Sequence, residues 1–368
     1  MAETLSNIRL PPGDQAVVVK IINPVNFGPA ILQRFMTPAA PGLETFETSP
    51  SLCFLLEHPS GRKLVWDLGI RKDYHNYAPE IASYLPTTNY KIQVTKNVAD
   101  ILEDHGVPAK DIEAVIWSHW HWDHIGDPST FPETTKLVVG RGFKQSMLPG
   151  APANPKSPIL ESDYAGRDLV EICFDGSQSL QIGQFPAFDY FGDGSFYLLD
   201  SPGHAIGHIC GLARTTNSPD SFVLLGGDVC HYAGIFRPSK YLPMPHRISP
   251  HPCKPCEKNV ALCPGGAWEE LQQSRGRQPT DALFDLTFGL DLPLATKTVG
   301  WLQELDCHED VLVIVAHDST IRDAAPHFPE SLNDWKSRGL GKRVKWAFLF
   351  KWAFLRDLKV YWESKGLA

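Results

Sequence analysis

A run of aliphatic residues that ends in three histidines and an aspartate constrains this chain more than any other feature. Val115-Ile116-Trp117 leads directly into Ser118-His119-Trp120-His121-Trp122-Asp123-His124. The apolar part reads as a buried strand, and the polar part as the loop delivered by its C-terminal end. Imidazoles and a carboxylate held this close repel one another or lose solvent unless they share something to bind. Imidazole suits zinc, and the carboxylate suits a second metal or a supporting role behind the ligands. The two tryptophans between the histidines read as packing that fixes the loop.

Further strand ends carry residues of the same kind. Residues 16–22 and 51–57 are strand-like, and after the Pro59-Ser60-Gly61 turn residues 63–67 return, which predicts an antiparallel opening. Residues 71–95 resemble a surface insertion. Val94, Val98, Ile101 and Leu102 follow helical spacing, with Thr95 or Asn97 as N-cap and Gly106 as the stop. Residues 141–168 fit a substrate-facing loop or a surface excursion equally well. Short strands over 169–174, 180–182, 185–190 and 196–199 suggest a second sheet built from hairpins. Pro202-Gly203-His204-Ala205-Ile206-Gly207-His208 then makes a tight turn that can aim His204 at a metal. Residues 222–225 end in Gly226-Gly227-Asp228, where glycines permit close backbone approach, and residues 311–316 deliver His317.

His119-x-His121-x-Asp123-His124, Pro202-Gly203-His204-x-x-Gly207-His208, Gly227-Asp228 and His317, in this order, resemble the metallo-β-lactamase superfamily. Within it they are most similar to lactone hydrolases and to the fungal-type lactonase, lactamase and thioesterase branch. The resemblance spans roughly residues 16–325. It implies an α/β fold, a four-layer αβ/βα sandwich with two mixed β-sheets and the metals at one edge. The whole chain is then one domain, 1–368, with an insertion around 232–295 and an aromatic tail, 335–368. The resemblance also implies two zinc ions, one on His119, His121 and His204, the other on Asp123, His124 and His317, with Asp228 bridging both. His208 is expected to be a satisfied buried histidine. Asp67, before Leu68-Gly69, resembles the superfamily's brace for the metal loop, and an ordinary turn aspartate fits its place as well.

Two divalent ions about 3.5–4 Å apart lower the pKa of a shared water towards neutrality. The reaction implied is therefore the opening of a small lactone or lactam by a metal-bridging hydroxide that Asp123 and Asp228 orient. A benzoxazolinone-type cyclic carbamate is a further candidate. A thioesterase for an acyl-carrier protein is the enzyme alternative, and a non-catalytic metal-binding protein the lesser one. One position departs from the lactone hydrolases, which place a tyrosine three residues after the bridging aspartate. Here that place holds His231, followed by Tyr232, and either could donate a hydrogen bond to the oxyanion.

Composition narrows the partners. A net charge of −8 argues against a nucleic-acid binder held by phosphate contacts. Residues 1–15 lack a cationic start followed by an apolar run, and no 18-residue apolar span occurs, so no membrane span is expected. Eight scattered cysteines suit a reducing cytosol, and a cytoplasmic protein with a small-molecule substrate is expected. Within the insertion, Arg237-Pro238 and residues 241–245 form a stiff aromatic run placed near the metal edge. Leu283, Phe284, Leu286, Phe288 and Leu290 could wall a pocket. His251, Cys253, Cys256 and Cys263 read as a zinc knuckle of unusual spacing or as a loop with packed thiols. The aromatic residues of 344–362 are expected to cover the core rather than lie on a membrane surface.

Overall fold

The computed structural model describes residues 8–39, 44–248 and 263–352. His251, Cys253 and Cys256 lie outside the described residues, as does the side chain of Cys263. Two six-stranded sheets dominate. The first consists of β1 (Val18–Ile22), β2 (Cys53–Glu57), β3 (Lys63–Trp66), β4 (Ala114–Ile116), β5 (Lys136–Val139) and β6 (Leu169–Glu171) in spatial sequence order. β1 to β3 pair antiparallel, and β3 to β6 pair parallel. The second consists of β7 (Ser179–Ile182), β8 (Phe185–Asp189), β9 (Phe196–Asp200), β10 (Ile209–Asn217), β11 (Asp220–Leu225) and β12 (Val311–Ile314), antiparallel except for the final β11–β12 pair.

Both faces of the central strands are buried, which is why they read as continuous apolar runs rather than alternating ones. Phe54, Leu56, Leu64, Trp66 and Ile116 meet Phe196, Leu198, Val223, Leu225 and Ile314 between the sheets. Leu55, Val65, Val115 and Leu137 point the other way, onto α2 (Val98–Asp104) through Val98, Ala99 and Leu102. Leu199, Leu212, Leu224 and Val313 face outward from the second sheet onto α4 (Leu292–Asp306) through Val299, Leu302 and Leu305. The layers therefore run helix, sheet, sheet, helix, as the two mixed sheets of an αβ/βα sandwich require. Asn97, one of the two N-caps the sequence offered, caps α2 in a capping box with Asp100, and Val94 is not on the helix but ends a short strand (Lys91–Val94).

β10 is the longest strand and carries no alternation to mark it. Its Arg214 is fully buried, pairs with Asp220 at 2.7 Å and donates to the Gly194 carbonyl. A charged residue in the middle of a strand hides the strand from any reading of hydropathy. The chain after β12 covers the core: Trp335, Leu340 and Val344 join the cluster between the sheets, and Phe348 and Leu349 join the α4 side. Residues 237–245 pack on α4, with Arg237 forked onto Asp306 and Tyr241 on Glu304, so they do not reach the metal edge. Residues 141–168 place Phe143, Met147 and Ile159 in the helix-side core. No helix among the described residues is long and apolar enough to cross a membrane.

Candidate metal centre

Every residue of the candidate centre follows the C-terminal end of a strand. Asp67 succeeds β3, residues 118–124 succeed β4, His204 succeeds β9, Asp228 succeeds β11 and His317 succeeds β12. Backbone bonds join these ends across the sandwich, including Ile209 N–H to Ser118 O at 2.8 Å and Ala316 N–H to Gly227 O at 2.9 Å. Two glycines make the approach feasible. Gly227 adopts φ +49°, and a Cβ there would lie 2.8 Å from Ser118 Cβ. Gly203 adopts φ +121°, where a Cβ would meet the Ala295 backbone nitrogen at 2.2 Å. Only glycine can hold the His204 turn against α4 in this way.

Three imidazole nitrogens converge. His119 Nε2 lies 2.9 Å from His121 Nδ1 and 3.2 Å from His204 Nε2, and His204 Nε2 lies 3.0 Å from His121 Nδ1. Tetrahedral ligands about 2.0–2.1 Å from a zinc ion stand roughly 3.3 Å apart, so the spacing suits one ion. Asp228 Oδ2 closes this group at 3.6 Å from His204 and 3.8 Å from His119. Asp228 Oδ1 faces the second group, 3.0 Å from His317 Nε2 and 3.2 Å from His124 Nε2, with Asp123 Oδ2 3.5 Å from His317 Nε2. His119, His121, His204 and Asp228, and likewise Asp123, His124, His317 and Asp228, each could hold a metal ion.

Outer hydrogen bonds orient the second group. His124 Nδ1 lies 2.8 Å from Asp67 Oδ2, and His317 Nδ1 lies 2.7 Å from the Pro50 carbonyl. Those acceptors take the Nδ1 protons, so each Nε2 presents its lone pair to Asp228. A lone pair facing a carboxylate needs a cation between them, a proton or a metal ion. Burial alone would lower His124 and His317, but Asp228, aided by Asp67 at His124 and Asp123 at His317, raises both above the ordinary histidine value. Burial and neighbouring imidazoles hold His119 and His204 well below that value, and burial brings His121 down to about 4. The first group thus offers free lone pairs, and the donor set fits two divalent cations.

Asp67 is a brace: it accepts from Ser118 N–H at 2.6 Å and Ser118 Oγ at 2.7 Å besides His124, and sits at φ +55°. His208 is satisfied and buried, as expected. Its Nδ1 donates to Ser201 O at 3.0 Å and its Nε2 accepts the Asp228 N–H at 3.0 Å, which pins the backbone of the shared aspartate.

A cavity of ≈ 150 Å³ opens onto Asp123, His121, His231, Asp228 and His317. Phe27, Phe35, Phe46, Tyr84, Tyr90, Trp122 and Phe288 line it as well. Three expectations are corrected here. Trp122 does not merely pack the loop; it stacks on Tyr90 at 5.9 Å and forms part of the cavity wall. Residues 71–95 are not a bare surface excursion, because α1 (Pro79–Tyr84) and Tyr90 supply wall residues. Of the five apolar residues at 283–290, only Phe288 reaches the cavity; Leu283, Phe284 and Leu286 pack against α4 and Leu290 is exposed.

The two catalytic candidates after Asp228 part company. His231 lies on the cavity wall with Nε2 3.1 Å from Asp228 Oδ2. Tyr232 turns away at the cap of a single 3-10 turn (Ala233–Ile235), where its own backbone is extended after a bend. Its ring packs among Phe46, Phe284 and Phe348, and its hydroxyl donates to the Phe348 carbonyl at 2.7 Å. Tyr232 is therefore not an oxyanion donor. Tyr232→Phe should leave turnover within a few-fold and cost about 1 kcal/mol of stability, measured by denaturant unfolding. A hundred-fold drop in turnover would restore its catalytic role.

Residues 47–153 match the family described as the metallo-beta-lactamase superfamily. "Gamma-lactamase FDB1" of Fusarium pseudograminearum is 40% identical over 360 residues, covering 94% of this chain and 86% of that protein. The chain belongs to the metallo-β-lactamase superfamily. A further relative, "Cytochrome P450 monooxygenase mpaDE'" of Penicillium brevicompactum, is 42% identical over 93% of this chain, but the chain spans only 38% of that longer protein. Among solved structures, the N-acyl homoserine lactone hydrolase with N-hexanoyl-L-homoserine at its catalytic metal centre has TM-score 0.55 at 16% identity, covering 87% of this chain and all of that one (100%). That likeness establishes the shared fold. The chain is a hydrolase of the superfamily, with histidine and aspartate groups suited to metal.

Proposed function

We propose that this protein opens a small lactam or lactone ring by hydrolysis at two zinc ions. In this reading one ion is held by His119, His121 and His204 and the other by Asp123, His124 and His317, with Asp228 shared. The observation that carries it is the position of both groups at the floor of an aromatic-walled cavity. The lactam preference comes from the relative named a gamma-lactamase, which matches nearly the whole chain.

When bound, the divalent ions supply electrophilic polarisation of a carbonyl and an acidified water. The protein's own residues do the rest. Asp228 offsets the positive charge of both groups and stays ionised: burial would raise its carboxyl, but His317, His124 and His231 bring it well below the usual range. Asp123 reaches the cavity from α3 (Trp122–Ile125), placed to orient the attacking water and take its proton. Tyr77 holds that helix by donating to the Trp122 carbonyl at 2.6 Å. Of the three imidazoles on the cavity wall, His231 alone belongs to neither group, and it is the donor for the developing oxyanion. The aromatic walls exclude bulk water and strengthen these interactions.

Incubation of the metal-loaded protein with γ-lactams, γ-lactones and aryl thioesters tests the reading. Ring-opened products that gain one water should appear for a lactam or lactone. Cleavage of thioesters far above ring opening would instead favour a thioesterase, and no turnover of any with two ions bound would leave a binding protein.

A further inference from the structure

One cation stands in the cavity wall, and nothing in the proposed chemistry uses it. Arg34 is the sole lysine or arginine among the wall residues. It ends a single turn of 3-10 helix (Leu32–Arg34) whose backbone is tied down from the far side of the chain. Thr287 Oγ1 donates to Arg34 O at 3.0 Å, and Thr287 N–H donates to Phe35 O at 3.1 Å. The guanidinium lies 5.0 Å from the Phe288 ring centroid and 5.8 Å from those of Phe35 and Tyr84, and its Nη1 donates to the Tyr84 hydroxyl at 2.6 Å. The same Phe288 ring lies 5.5 Å from His231, and 5.7 Å from His204 and 6.1 Å from His121 of the first group, while the Asp123 carboxylate of the second is near enough to favour the charged guanidinium.

Several arginines elsewhere in the fold have acidic partners, while Arg167 spends its donors on backbone carbonyls. Arg62 pairs with Glu113, Arg71 with Asp73 and Asp127, Arg237 with Asp306, and Arg277 with Asp285. Among the described residues no carboxylate is paired with Arg34. A guanidinium has five N–H donors in a planar fork that matches a carboxylate. Arg34 is exposed, so its guanidinium is open to a ligand, and its ring contacts and the Tyr84 hydrogen bond limit its freedom before a planar anion docks.

We propose that Arg34 is a specificity determinant that binds a carboxylate carried by the substrate on the edge remote from the bond to be cleaved. The substrate class is then an anionic, flat cyclic amide or ester: its scissile carbonyl faces Asp228 and Asp123, its ring lies along Phe288 and Trp122, and its carboxylate meets Arg34. This assignment rests on the ring-opening reading for the orientation of the substrate, and binding tests it separately from turnover.

The test uses two benzo-fused γ-lactams that differ only in bearing a carboxylate or its methyl ester on the edge opposite the lactam carbonyl. KM and kcat are measured with the metal-loaded protein, and Kd with the metal-free protein by tryptophan fluorescence, since Trp122 lines the cavity. Wild type should prefer the carboxylate in both measurements. Arg34→Gln should shrink the carboxylate-to-ester preference in KM and Kd by about 10- to 100-fold, with kcat changed far less, and Arg34→Lys should retain part of it. A preference that survives Arg34→Gln, or its lack in wild type, overturns the assignment. If neither lactam is hydrolysed but the Arg34-dependent preference in Kd stands, the anion site is supported and the ring-opening reading fails.

Discussion

Asp228→Ala is expected to release metal from both groups and to cut ring opening by about a thousand-fold or more. The size follows from losing about 4 kcal/mol of transition-state stabilisation when the ions leave, at 1.36 kcal/mol per factor of ten. Among the described residues Asp228 alone belongs to both candidate ligand groups: Oδ1 faces His124 and His317, and Oδ2 faces His119, His204 and His231. Removing the carboxylate leaves five imidazoles crowded together, with the remaining buried carboxylates, Asp67 and Asp123, both on the His124 and His317 side. The raised proton affinity of His124 and His317 depends on the same charge, so both should titrate lower in the variant. Emission spectroscopy for metal content, with circular dichroism to confirm folding, reads the outcome. A folded variant that keeps two ions and near-wild-type turnover would remove Asp228 from the shared position.

Asp67→Ala should act through the scaffold rather than through the ligand set. The carboxylate is fully buried and accepts from Ser118 N–H, Ser118 Oγ and His124 Nδ1 at once. Without it the loop after β4 loses its anchor, and His124 is free to present the wrong nitrogen. Partners of this kind are typically worth 10–100-fold in metal affinity. Leaving the buried donors unpaired should cost about 3–5 kcal/mol of stability. Chelator competition and guanidinium unfolding separate the two effects. Asp67→Asn keeps the shape and one acceptor oxygen, so its stability loss should be smaller while the His124 tautomer is still disturbed. Equal metal affinity in wild type and both variants would reduce Asp67 to a turn residue.

Much of the candidate centre was legible because residues that could hold a metal sit at strand ends, where apolar runs stop abruptly at a polar residue. Val115-Ile116 before the histidine loop, Val223–Leu225 before Asp228, and Val311–Ile314 before His317 each show that break. His204 was marked by the resemblance of Pro202-Gly203-His204-x-x-Gly207-His208 to the superfamily's motif, since a Pro-Gly turn by itself is common. β10 was illegible for the opposite reason: Arg214 and the threonines beside it carry polarity into a buried strand, and the partners that permit this, Asp220 and the Gly194 carbonyl, are supplied by folding.

His231 and Tyr232 show where local sequence runs out. Both are hydrogen-bonding residues beside the shared aspartate, and only the direction of the chain after Gly227 puts one on the cavity wall and the other under Phe348. The cavity wall is assembled from residues near 27–49, 81–90, 122 and 288, segments without a common pattern. The sequence by itself determined the layered α/β class, the strand-end histidines and the aspartate between them, because burial and metal ligation select residue types within a few positions of one another. Tertiary structure alone decided which aromatic rings enclose the centre, which neighbour of Asp228 faces it, and that Arg34 stands beside Phe288. Those depend on contacts between segments up to hundreds of residues apart, and no short stretch encodes them.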